Sequence, residues 1–231
     1  MKKIVAMLLL LALFCQPAMA EGDLEIVQMS VEPVEIYDGY YVAWVAAEII
    51  NNGNEERMIE DAPFRIFGKN GEILYENSLF LSYPMVLAPG ETAYIWDQAN
   101  AEEPMALKDM QGYELLIEDC VPYISHATTL ELTGWEIFEN ETYDGGTEYT
   151  VLLTITNNQP ETVFHPTAYY GLYDEQGTLL YVGGTTHYDL GILPGQSAVF
   201  VFYIDASLNK IWEKAGTAPY TIQGGAYLEM E

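Results

Sequence analysis

Beyond residue 20 the chain carries one cysteine, Cys120, and three histidines, His126, His165 and His187. These are the residue types that could act as nucleophile, base or metal ligand. Their spacing gives no local support for any of those roles. No two histidines fall at the short separation of a helical zinc motif. Gly195-Gln196-Ser197-Ala198 lacks the second glycine of a nucleophile elbow and sits where a turn is expected. Cys120 has no neighbouring histidine in sequence; it reads as a loop start or a buried thiol. The carboxylate pairs Glu55-Glu56, Glu60-Asp61, Glu102-Glu103 and Glu118-Asp119 read as solvated loop charges. Gly183-Gly184 opens no phosphate-binding pattern and reads as a turn. No catalytic, cofactor-binding or metal-binding residue is assigned from sequence.

The start of the chain has the form of an export signal. Lys2 and Lys3 precede an apolar run from Ile4 to Phe14, and Ala18-Met19-Ala20 offers small residues for cleavage. The expectation is a signal peptide over 1–20, a secreted or periplasmic (cell-envelope) destination, and no transmembrane segment in the mature chain, since the run is short for a bilayer span. Lipidation at Cys15 is the competing reading; the bulky Phe14 before it favours plain secretion. Removing residues 1–20 takes Lys+Arg from 8 to 6 against 35 acidic residues, so the net charge moves from −27 to −29. That charge repels nucleic acid and anionic lipid. It suits solubility outside a cell. Calcium is the sharper possibility, but no acidic loop has ligand spacing.

With Cys120 alone, no intrachain disulfide can form in the mature chain, so the fold must rest on core burial. Half of the residues are apolar and 13% aromatic, which excludes disorder.

The elements that position these residues are duplicated. Leu24-Glu25-Ile26 matches Leu130-Glu131-Leu132; Tyr37-Asp38-Gly39 matches Tyr143-Asp144-Gly145; Ile49 to Asn52 matches Ile155 to Asn158. Phe67, Gly71 and Tyr75 match Tyr173, Gly177 and Tyr181, all 106 positions on. Leu87 to Glu91 then matches Ile192 to Gln196 at an offset of 105. A period this long predicts two self-sufficient domains, 23–122 and 127–231, rather than a solenoid. The short linker Val121 to His126, with Pro122, restricts their mutual orientation.

Within each copy, period-two alternation predicts strands over 24–31 and 129–135, 41–50 and 149–156, with Val45, Ala47, Ile49, Val151, Leu153 and Ile155 on the core face. Asn51-Asn52 and Asn157-Asn158 end those strands with amides that can satisfy free backbone groups. A hairpin follows, its turn closed by Gly71 or Gly177 at positive φ. Phe64, Ile66, Tyr170 and Leu172 are expected in the core. Pro89-Gly90 and Pro194-Gly195 read as type II turns feeding strands, in which Ser197, Val199, Val201 and Tyr203 oppose Ala198, Phe200 and Phe202. Leu208, Ile211 and Trp212 predict a short helix capped by Asp205 or Ser207 and ended by Gly216. In the first copy Glu102 and Glu103 would open the corresponding helix and Gly112 close it. Last strands are expected over 113–117 and 220–230. The fold class is therefore all-β: two tandem immunoglobulin-like antiparallel β-sandwich domains, each with one short helix.

Tyr170-Gly171-Leu172-Tyr173-Asp174, with Asn157-Asn158 before it and Leu193-Pro194-Gly195 after it, resembles the signature of FxLYD-type domains of bacterial exported proteins. The first copy is looser, with Phe64-Arg65-Ile66-Phe67-Gly68 lacking the aspartate. The resemblance implies sandwich modules on envelope or secreted proteins and brings no catalytic residue. The expected function is a non-enzymatic interaction or structural protein binding a protein or envelope partner. The alternative is an envelope-glycan binder using exposed tyrosines, around Tyr37, Tyr40, Tyr41 and Tyr143 or around Tyr169, Tyr170, Tyr173 and Tyr181. A hydrolase built on scattered carboxylates is the remaining class. Nucleic acid is not an expected partner.

Overall fold

The computed structural model describes residues 23–79, 81–141 and 146–228. The signal segment with Cys15, and the turn Tyr143-Asp144-Gly145, lie outside the described residues. The N-terminal half runs β1 (Leu24–Tyr37), β2 (Tyr40–Asn51), β3 (Arg57–Asp61), β4 (Pro63–Phe67), β5 (Ile73–Ser78), β6 (Leu81–Tyr83), β7 (Val86–Leu87) and β8 (Thr92–Ala99). A 3₁₀ helix (Pro104–Asp109), β9 (Gly112–Leu115) and β10 (Glu118–Cys120) complete it. The C-terminal half runs β11 (Thr128–Glu141), β12 (Thr147–Thr156), β13 (Val163–Phe164), β14 (Pro166–Tyr173), β15 (Leu179–Thr186), β16 (Gly191–Ile192) and β17 (Ser197–Tyr203). Helix α1 (Ala206–Ala215) and β18 (Thr221–Leu228) follow.

All pairings between described strands are antiparallel. The N-terminal half holds sheets ordered β1-β2-β8-β6, β10-β3-β7 and β5-β4-β9; the C-terminal half holds β15-β14-β18-β11-β12-β17 and the small pair β13-β16. Strand β11 turns the corner of its sandwich. Residues 128–130 pair with β18, and residues 131–141 pair with β12 across a register shift near Thr133. Alternation places Val45, Ala47 and Ile49 in one core and Val151, Leu153 and Ile155 in the other, all essentially inaccessible.

The copies agree in chemical detail as well as in outline. The side-chain amide of Asn51 donates to the carbonyls of Glu55 and Leu87, and its oxygen accepts from the Gly53 N–H. Asn157 does the same with the carbonyls of Glu161 and Ile192 and the Gln159 N–H. Both asparagines are fully buried, so each supplies partners to backbone groups that would otherwise be stranded away from water. The hairpin turns also correspond. Gly71 and Gly177 lie at φ 81° and 80°, each beside a bulge, and Gly90 and Gly195 sit at positive φ in their turns.

Five expectations are corrected. Gly183-Gly184 is no turn but the middle of β15; a Cβ on Gly183 would strike the Tyr170 ring at 2.6 Å, and one on Gly184 the Tyr83 ring at 2.6 Å. The glycines are there because two rings lie flat against the strand. The first-copy helix is a 3₁₀ element starting at Pro104, with Leu107 its buried residue, and Gly112 begins the next strand instead of ending it. One buried anchor is too little to stabilise an α-helix of that length. Glu60-Asp61 and Glu118-Asp119 lie in paired strands β3 and β10, and the Asp119 carboxylate accepts from the N–H groups of Asp23 and Leu24, fastening the start of β1. Cys120 ends β10 half-buried, a free thiol whose pKa is pushed up by burial and by Glu60 and Asp119. Finally, Tyr169 and Tyr173 are buried, not an exposed platform, while Tyr170 is buried as its core position predicts.

Candidate functional site

The chemistry-bearing residues are scattered. His126 pairs with Glu91, 2.7 Å from Nε2 to the carboxylate. His165 lies beside the Tyr188 ring and His187 packs edge-on against Phe200. Among the described residues no three His, Cys, Asp or Glu side chains are placed to hold a metal ion. What the fold builds instead is a sheet face, used differently by the two halves.

In the N-terminal half the outer face of β2 and β8 is buried against the C-terminal half. Ala46 and Tyr94 pack with Tyr169, Tyr173, Leu179 and Val182, joined by Tyr83 and Trp96. The phenols of Tyr94 and Tyr173 hydrogen-bond at 2.9 Å. Gln28 bridges the two halves as a strand would, donating to the Gly177 carbonyl and accepting from the Leu179 N–H. Val34 and Val42, at the far end of the β1–β2 hairpin, enter the core of the C-terminal half. Burial pushes the Tyr94 phenol up to about 12 and raises Tyr173 further, so both stay neutral and can share a hydrogen bond. Burial likewise raises the Glu48 carboxyl beside them, with a hydrogen bond from Tyr173 opposing.

Room for Tyr94 comes from Gly171, where a Cβ would lie 2.5 Å from the ring. The matching position in the N-terminal half is Arg65, whose guanidinium is tied to Glu76 and Glu114.

The same outer face in the C-terminal half is open. Tyr94 and Trp96 correspond at the 105-residue offset to Val199 and Val201, which are 56% and 45% exposed, with Tyr203 at 75%. The register rows run Phe138–Thr150–Tyr203 and Glu136–Leu152–Val201, so Phe138, 43% exposed, extends the same patch. Among the described strands β17 ends its sheet, with β12 its hydrogen-bonded neighbour. Its equivalent β8 has a second neighbour, β6.

Beside β17 lies a groove of about 300 Å³, lined by Trp96, Tyr181, Gly183, Gly184, His187 and Tyr203. The indole N–H of Trp96, like that of the adjacent Trp44, is buried without an acceptor among the described residues. A second, shallower hollow holds the stacked pair Tyr37 and Tyr40, ring centres 4.6 Å apart.

Sequence reasoning identified the alternation of β17 but not its exposure as a surface. The signal was present: copies that agree at turns and asparagines disagree at Tyr94/Val199 and Trp96/Val201, where one copy is covered and the other is not.

No known protein family profile matches the chain, and no curated protein matches it in sequence. Among solved structures it is similar to a calcium-binding mutant of Bacteroides uniformis beta-glucuronidase 2, at 13% identity and TM-score 0.28 over 77% of this chain. It is also similar to red sea bream transglutaminase, at 9% identity and TM-score 0.22 over 79% of this chain. A third is the N-terminal tandem CBM22 pair of Paenibacillus barcinonensis Xyn10C, at 7% identity and TM-score 0.17, covering 90% of this chain and 86% of that one. The chain spans 23% and 27% of the first two. Likenesses this weak decide neither activity nor ligand. In the described residues no helix is long and apolar enough to cross a membrane.

Proposed function

We propose that the chain is an exported, non-enzymatic interaction protein of the FxLYD-like kind, built of two domains, 23–122 and 127–231, that binds a protein partner through the outer face of β12 and β17. One observation supports this reading above the others. Val199, Val201 and Tyr203 expose their side chains where the N-terminal half covers Tyr94 and Trp96. Aromatic and branched apolar groups on a flat sheet are the kind of surface that partners bury. The test is affinity capture from the native envelope fraction with wild-type protein and with Val201→Glu. The reading expects a partner recovered by the first and lost with the second at unchanged melting temperature. Equal recovery overturns it.

The groove beside β17 favours a second reading, carbohydrate binding, because Trp96, Tyr181 and Tyr203 line a hollow of sugar-ring size. A glycan array, with tryptophan fluorescence as readout, tests it. No binding and no spectral change would remove it.

A further inference from the structure

The backbone of β17 has a definite phase. The Asn157 N–H donates to the Gln196 carbonyl and the Ile204 N–H to the Tyr149 carbonyl, just outside the two ends of the β12–β17 ladder. In an antiparallel pair, residues alternate between exchanging both peptide hydrogen bonds with the neighbour and turning both away. Gln196 and Ile204 face β12, so Ala198, Phe200 and Phe202 do too. The N–H and C=O groups of Ser197, Val199, Val201 and Tyr203 therefore point off the edge of the sheet. The N-terminal half shows what belongs there. The same count from the Asn51 N–H bond to Glu91 turns the peptide groups of Tyr94 and Trp96 outward, and β6 meets them, with Tyr83 opposite Tyr94 and Leu81 opposite Trp96. The C-terminal half has spent the equivalent segment. Thr186 pairs with Thr167 at the end of β15, and His187 enters a turn.

We propose that the open edge of β17 is a strand-addition site, which takes an extended cationic segment of a partner protein, antiparallel, in the place that β6 holds on β8. The proposal rests on the interaction-surface reading above and names its partner class and mode. Sheet edges are ordinarily blunted by charge, proline or bulges, and Ser197-Ala198-Val199-Phe200-Val201-Phe202-Tyr203 has none of these. Main-chain bonds would supply affinity, and alternate side chains would be read on the two faces. One set lies beside Val199, Val201 and Tyr203; the other turns toward the groove floored by Gly183 and Gly184.

Charge selects the occupant. Strands β11, β12 and β17 carry Glu131, Glu136, Glu139, Glu141 and Glu148 and no lysine or arginine, and exposed Glu136 shares a row with Val201. A second copy would bring the same acidic face and a net charge of −27; a lysine- or arginine-bearing strand meets complementary charge.

The probe is the peptide Lys-Lys-Thr-Val-Thr-Val-Thr-Val-Lys-Lys, titrated against the full chain at low and physiological salt. Binding is expected to fall at least about 10-fold when the lysines become glutamates, and to weaken with salt. N-methylation of either the valines or the threonines, one phase only, is expected to cost about 10-fold or more, because an added edge strand bonds through alternate residues. The amides of Val199 and Val201 should exchange more slowly in the complex. If both N-methylated peptides bind like the parent while Val201→Glu still loses the native partner, strand addition fails and the interaction surface stands. Absence of peptide binding with a Val201→Glu-sensitive native partner likewise overturns strand addition alone. Absence of peptide binding together with unchanged capture by Val201→Glu removes both. A dimer in sedimentation that Val201→Glu dissolves would make the occupant a second copy and overturn the cationic assignment.

Discussion

The phenolic oxygens of Tyr94 and Tyr173 stand 2.9 Å apart, one from each half of the chain. Seventy-nine residues separate them in sequence, and Gly171 clears the space in which the Tyr94 ring lies. Their contact is the centre of a buried boundary that also includes Tyr169, Val182 and Ala46.

Tyr94→Phe should therefore destabilise the chain by about 1 kcal/mol, the usual net value of one buried neutral hydrogen bond. Gly171→Ala should cost more, about 1–3 kcal/mol, since its methyl group meets a packed ring. Urea unfolding followed by tryptophan fluorescence reads both, through Trp44 and Trp96 near the boundary. A Gly171→Ala variant as stable as wild type would mean that the two halves do not hold this arrangement in solution.

Asn51→Ala and Asn157→Ala should be nearly equal in cost, each about 1–3 kcal/mol, because each strands one buried carbonyl, of Leu87 or Ile192, and removes two part-buried bonds to the following loop. Thermal or urea unfolding of the two variants measures this. A large loss at one position and none at the other would break the correspondence between the copies.

Gly177→Val should lower stability by about 1–2 kcal/mol. The site has open space for a side chain, so the cost comes from the left-handed backbone at φ 80° alone. Gly177→Asn, which tolerates that region, should recover most of the loss. Equal melting of Gly177→Val and wild type would exclude the turn.

The His126–Glu91 pair should make stability pH-dependent. Burial pulls the imidazole pKa down, but the hydrogen bond and charge of Glu91 outweigh it, so the folded value sits above the ordinary 6.5. A raised histidine pKa means that the folded state holds its proton more tightly than the unfolded chain. The contribution is fully present below about pH 6.5 and is lost as pH rises through the folded value. His126→Gln should flatten the stability profile across that window, measured by urea midpoints at successive pH. An unchanged slope would show that the pair is not formed.

The markers shared by the two halves were legible because they are local. Asn51 and Asn157 end strands, and Gly71, Gly177, Gly90 and Gly195 sit where only a few residues fit, so both copies had to keep them. Helix α1 was legible for the same reason: Asp205 caps its first turn and Gly216 ends it in the left-handed region. The boundary between the halves was not legible, since Tyr173 looks like any strand tyrosine until Tyr94 is placed against it. Gly183-Gly184 misled because two glycines resemble a turn, and the rings that require them come from Tyr170 and, across the boundary, Tyr83. The alternation of Val199 and Val201 was plain in sequence. Whether that edge was covered depended on where Leu81 to Tyr83 went, which no periodicity encodes.

Arg65 in the place of Gly171 gives the duplicated chain a polarity. A tyrosine brought to the first half as Tyr94 is brought to the second would meet an arginine side chain, tied to Glu76 and Glu114, at the position where Gly171 has none. Tandem copies that stick by an unsatisfied heterologous contact would grow into fibres. Arginine at this one position opposes a repeat of that contact on the first half.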